Sequence, residues 1–171
     1  MSEREVWLRG PVAGIPPLLM PAAHALLGAG EDVARAAAGL TPEQLWARPA
    51  GVASVGFHLR HLVGILDRLL TYARGESLSG AQLAYLHAEP DPGASVDELL
   101  TNVDAAIDRG LAQLRATREA DLLLPRGVGR QQLPSTVLGL LFHAAEHTQR
   151  HVGQVVTTAK VVRATGWQIP Q

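Results

Sequence analysis

Between Ser135 and Gly166 no proline interrupts the chain, and nothing else there stops a helix before Gly166. A helix over that stretch reaches about 45 Å at 1.5 Å per residue, with Ser135 or Thr136 as its N-cap. The other segments read as helices too. The 26 Ala and 26 Leu stand against seven aromatic residues, and β-branched runs are few, which favours helix throughout. A first helix is expected from about Leu18 to Leu40, with Pro21 tolerable only in its first turn. Thr41-Pro42-Glu43-Gln44 is a capping box that opens a short helix ended by Pro49. Ser54 caps a helix over Val55–Arg74, and Gly75 suits its left-handed stop. Val55, Leu59, Leu62, Leu66, Leu69, Leu70 and Ala73 then share one face. Residues 76–94 connect, with a short helix around Ala81–His87 before Pro90 and Pro92. Ser95-Val96-Asp97-Glu98 is a second capping box, leading into a helix to about Arg118. Residues 121–134 lack helical period, and Gly127 and Gly129 mark a turn or a small hairpin before the last helix. Residues 1–17, with Pro11, Pro16 and Pro17, read as an extended arm whose Trp7, Leu8 and Ile15 have no local partner. Four main helices with longish connections imply an all-α four-helix bundle, with the 171 residues forming one domain.

Several function classes drop out early. A chain of this size buries about two-thirds of its unfolded surface and needs no staple. The absence of cysteine excludes disulfide frameworks, thiolate zinc sites and cysteine nucleophiles. Fifteen basic residues against sixteen acidic ones argue against a nucleic-acid module or an anionic-membrane binder. The first residues lack a basic region followed by an apolar run, so no signal peptide is expected. No apolar run reaches the roughly 18 residues of a membrane span. The expectation is a soluble, cytoplasmic protein.

Seven histidines remain to be placed. The last helix carries His143-Ala144-Ala145-Glu146-His147-Thr148-Gln149-Arg150-His151-Val152-Gly153-Gln154. On a helical wheel His143, His147 and His151 fall at about 0°, 40° and 80°, with Gln154 at about 20°. An i, i+4 histidine pair presents two imidazoles to one ion. The first and third of the row lie roughly 12 Å apart along the axis, so at most two can share a metal. A third ligand must come from elsewhere, and the 55–74 helix offers His58 and His61 beside its apolar face. Five polar rings turned towards a core need partners, and a shared ion would supply part of that need. His24 and His87 read as surface or boundary residues.

The run Ser54-Val55-Gly56-Phe57-His58-Leu59-Arg60-His61-Leu62, followed late by His147-Thr148-Gln149-Arg150-His151-Val152-Gly153-Gln154, resembles the DinB-like superfamily. The likeness covers most of the chain, including Trp46 and Pro49 just before the second long helix. It implies a four-helix bundle with a three-histidine metal site. Family spacing from the Ser-Val start selects His61 rather than His58, and the late motif selects His147 and His151. His58 and His143 then stand as neighbours of the ligands or alternatives to them. Val152 departs from the arginine usual at that place. It lies opposite the ligand stripe, where packing rather than the metal is affected.

Three neutral imidazoles leave a divalent ion with an open position and unneutralised charge. Bound water can fall to a pKa of about 7 there, and a thiol is acidified likewise. Imidazole donors suit Zn, Ni, Fe or Cu, with Zn or Ni leading. Glu89, Gln154, Glu146 and Asp67 are the candidate acceptors for the rings' free N–H groups, with Glu89 foremost and Glu146 and Asp67 read as solvated. The resemblance implies a metal-dependent enzyme acting on a small molecule. It is either a transferase using a low-molecular-weight thiol such as bacillithiol or mycothiol, or a hydrolase. It also implies pairing as a homodimer. With no cysteine in the chain, any reactive sulfur arrives as a cosubstrate. The competing reading is a non-catalytic metal-binding or stress-associated bundle.

Overall fold

The structure is a computed structural model, and it describes residues 4–164; the expected helix stop at Gly166 lies outside the described residues. Among these, four long helices build the body: α1 Met20–Ala37, α3 Val55–Ala73, α5 Val96–Ala116 and α6 Val137–Ala164. Short α2 Pro42–Trp46 and α4 Gly80–Ala88 lie in the connections, and a hairpin of β1 Pro125–Val128 and β2 Leu133–Thr136 precedes α6.

Local chemistry sets most of these boundaries. Thr41 and Gln44 form a reciprocal capping box at α2. Ser54 Oγ accepts from the Phe57 amide at 3.1 Å to start α3. Gly75, at φ +82°, ends that helix in the left-handed region. At α5 only half of the expected box forms: Ser95 Oγ accepts from the Glu98 amide, while the Glu98 carboxylate does not return to the Ser95 amide. Glu98 is exposed, so its carboxylate does not depend on the backbone for a partner. A full box does form at α4, between Ser79 and Gln82. In the hairpin Pro125 pairs with Thr136 and Val128 with Leu133. Its last residue caps the longest helix, with Thr136 Oγ1 accepting from the Gly139 amide at 3.0 Å.

Long-range contacts give the topology. α1 packs against α6 and α5, and α3 packs against the same two. His58 and His61 of α3 meet His151 and His147 of α6 in reversed order, so these helices are antiparallel. Gln149 donates to Ala25 O and Arg163 to Ala38 O, so α1 and α6 run the same way. Gly30 faces Ile107 and Gly110 faces Leu26, which sets α5 antiparallel to α1. The order is therefore up-down-down-up, with α1 diagonal to α3. Two of the three connections, 38–54 and 117–136, cross a diagonal, while 74–95 joins two parallel neighbours and has to run back along the bundle. Leu26, Val33, Leu59, Leu62, Leu66, Leu114, Leu141 and Val155 fill the centre. Each buried leucine contributes on the order of 2 kcal/mol.

The N-terminal segment is not a free extended arm. Val6–Leu8 and Pro17–Leu19 form 3₁₀ turns. Ile15 is buried in the core cluster. Arg9 pairs with Glu31 of α1, Nη2 lying 2.8 Å from Oε2, and His24 Nε2 lies 2.9 Å from Gly10 O. Ile15 thus has the partner the sequence did not reveal, while Trp7 and Leu8 remain exposed.

Candidate metal centre

Two antiparallel helices place the histidines. On α3, His58 and His61 are three residues apart and point towards α6; on α6, His147 and His151 are four apart and point back. Nitrogens of His61, His147 and His151 all lie within 4.8 Å of one another. Ring centroids are 4.4 Å apart for His61 and His151, and 4.7 Å for His147 and His151. His61 Nε2 is 3.1 Å from His147 Nε2.

Hydrogen bonding assigns the free lone pair on one ring. His61 Nδ1 is 2.7 Å from Glu89 Oε2. An ionised carboxylate only accepts, so the hydrogen of this contact sits on His61 Nδ1, and in a neutral ring that tautomer leaves Nε2 bare. Two nitrogens bound tetrahedrally to one ion at about 2.0–2.1 Å stand about 3.3 Å apart, close to the observed His61–His147 separation. His147 Nδ1 is buried and has no hydrogen-bond partner among the described residues. On its Nε2 side the ring meets His61. The donor set fits a divalent transition ion.

Burial disfavours the charged form of three rings, His58, His147 and His151. Burial, reinforced by the His61 ring, pushes His58 down to about 4. Burial, then His61, His58 and His147, push His151 down to about 3. His147 is lowered as well, again chiefly by burial. Neutral imidazole is the ligating form.

The remaining candidates fall into place unequally. His58 is only 6% exposed, and its Nδ1 lies 2.9 Å from His151 Nδ1. It stands behind that ring. Glu89, at the end of α4, is 2% exposed and reaches into the site. His143 sits at the rim, its ring 5.4 Å from that of His147 and its Nδ1 3.3 Å from Glu146 Oε2. Gln154 is exposed on α6. Asp67 turns away from the rings to accept from Gln82 Nε2 at 2.8 Å. Glu146 pairs with Arg150. Val152 is buried in the core, on the packing side of its helix. His87 is exposed, and His24 stays with the N-terminal segment.

Phe57 and Arg68 were not singled out from the sequence. Phe57 stacks on His61, with ring planes 16° apart. Arg68 donates to Glu89 Oε1 at 2.8 Å. A signal for Arg68 exists: it lies seven residues after His61, two turns along the same stripe. An arginine among Leu66, Leu69 and Leu70 requires a buried acid.

A helical bundle with an up-down-down-up path and a tri-imidazole cluster between two antiparallel members defines the class. The family model of the DinB superfamily matches residues 25–155, well over half of the chain, and the chain belongs to that superfamily. No curated protein matches the sequence.

Proposed function

We propose that the chain is a metal-dependent enzyme in which His61, His147 and His151 hold one divalent transition ion, Zn or Ni. It transfers a low-molecular-weight thiol to a small electrophile: the sulfur forms a bond to carbon as the leaving group, such as the chloride of a chloro-aromatic, departs and the thiol proton passes to solvent. The reading is carried by the convergence of three ligand nitrogens within 4.8 Å, one of their rings being anchored by a buried carboxylate. When bound, an ion with three neutral ligands supplies an open position and acidifies a thiol or water placed there. The protein's own groups orient the ligands: Glu89 fixes His61, His58 backs His151, and Phe57 covers one face of His61.

The choice of thiol transfer over hydrolysis rests on the state of the nearby carboxylates. A metal-acidified thiol needs no protein base, whereas water attack gains from one. Glu89 is engaged by both His61 and Arg68. Hydrogen bonding to Arg150 holds the Glu146 carboxyl below its ordinary range, with His143 adding to this, which makes it a weak proton acceptor. The chain has no cysteine, so the sulfur must come from a cosubstrate.

Elemental analysis of the purified protein is expected to find about one transition ion per chain. His147→Ala should lose it at least tenfold while keeping its helical signal, because removing one of three ligands removes the site. A chloro-aromatic electrophile offered with a panel of small thiols should turn over in the wild type only. A wild type free of transition ions overturns the reading. An ion-loaded protein silent across the panel overturns thiol transfer and favours the non-catalytic metal-binding bundle.

A further inference from the structure

Glu89 does not reach His61 unaided. It enters from α4 with both carboxylate oxygens committed, Oε2 to His61 Nδ1 at 2.7 Å and Oε1 to Arg68 Nη1 at 2.8 Å. Arg68 is itself only 6% exposed, so the charges are buried together. The space they occupy is the place where a side chain on α3 would otherwise stand. A Cβ on Gly64 would overlap Glu89 Oε1, lie 2.6 Å from Arg68 Nη1 and crowd the Tyr85 ring at 3.1 Å. Gly64 is buried in mid-helix between His61 and Arg68, where a glycine costs helix stability relative to alanine. Its backbone there is ordinary helix, so the missing side chain, not conformational freedom, is what the position supplies.

We infer that Gly64 and Arg68 are positioning residues for the metal site. Gly64 opens a notch in α3, and Arg68 fixes Glu89 in it, so that Glu89 holds His61 with Nδ1 protonated and Nε2 bare. This rests on the reading of His61 as a ligand, and it assigns the reason that ring presents the correct nitrogen. A carboxylate is the required group, because it offers an acceptor to each of two donors. An amide has one acceptor oxygen, so Glu89→Gln must turn an N–H₂ towards either Arg68 or His61. Partners behind metal-bound histidines typically govern affinity by about 10–100-fold.

The test reads the His61 tautomer by ¹⁵N imidazole NMR of the full chain stripped with chelator, and then Zn affinity by chelator competition. The wild type is expected to show His61 as the Nδ1–H form. Gly64→Ala should lose that single form and bind Zn about 10–100-fold more weakly. Glu89→Gln adds no heavy atom, tests the same link if Gly64→Ala fails to fold, and should do likewise. The double variant should be no weaker than Glu89→Gln alone, since both changes break one connection. A wild-type His61 in the Nε2–H form overturns the inference. So does a folded Gly64→Ala that keeps both tautomer and affinity, or one whose effect adds fully to that of Glu89→Gln. If the wild type binds no Zn yet the tautomer responds as stated, the metal reading falls and the notch stands.

Discussion

His58 and His151 face each other across the α3–α6 seam, Nδ1 to Nδ1 at 2.9 Å, and neither can take a proton cheaply. With ordinary values near 6.5 in the unfolded chain and values of about 4 and about 3 in the fold, protonation favours unfolding. The contribution is fully present above about pH 6.5 and is lost as pH falls towards the folded values. At pH 5 the metal-free chain should take up about two protons from these two rings on unfolding. Denaturant unfolding with chelator present, between pH 7 and 5, should show stability falling with pH. His58→Gln should remove about one proton from that slope. A stability that is flat over this range would contradict the assignment of both rings as neutral. At this scale the histidine stripe was legible, because a 3.6-residue period alone aligns His147 with His151. The choice between His58 and His61 was not legible from the residues, because it depends on which nitrogen meets a carboxylate from another element. Arg68 needed its partner from α4 before it could be understood at all.

Among the elements, α6 carries two of the three clustered histidines and starts from one hydroxyl. Thr136 satisfies the Gly139 amide while its backbone belongs to β2, so the hairpin and the helix share that residue. Thr136→Ala is expected to cost about 1 kcal/mol, the usual loss for a removed N-cap. Equilibrium unfolding measures it, and a change below a few tenths would show that the hairpin alone fixes the start. Caps at Thr41 and Ser54 were readable because each depends on residues within one turn. The Ser79-Gly80-Ala81-Gln82 box follows the same pattern but was missed, the expected helix beginning around Ala81 rather than at Gly80. The Ser95 box shows the limit of such patterns. Glu98 is free to face water, and no local rule makes it return to the backbone.

For the whole molecule, the cluster ties α3 to α6 without any covalent link. On the metal-dependent reading proposed above, an ion shared between them would bind the folded state and find no assembled site in the unfolded one. The melting temperature should therefore rise with added Zn and fall with chelator, with stabilisation of about 2.7 kcal/mol when free ion is 100 times its dissociation constant. Calorimetry with and without chelator checks this, and His147→Ala should abolish the difference. Among the described residues no helix is long and apolar enough to cross a membrane, and the four long helices bury apolar faces against one another. The amphipathic face of α3 already specified that burial: Val55, Leu59, Leu62, Leu66, Leu69, Leu70 and Ala73 are all buried. Helix existence, helix ends and the histidine stripe rest on periodicity and on contacts within a turn, and these are properties of the sequence alone. The diagonal placement of α1 and α3, the docking of Ile15, and the approach of Glu89 through Gly64 to His61 were decided by tertiary structure. They depend on which surfaces meet and how closely. No spacing along one chain specifies the gap between two helices.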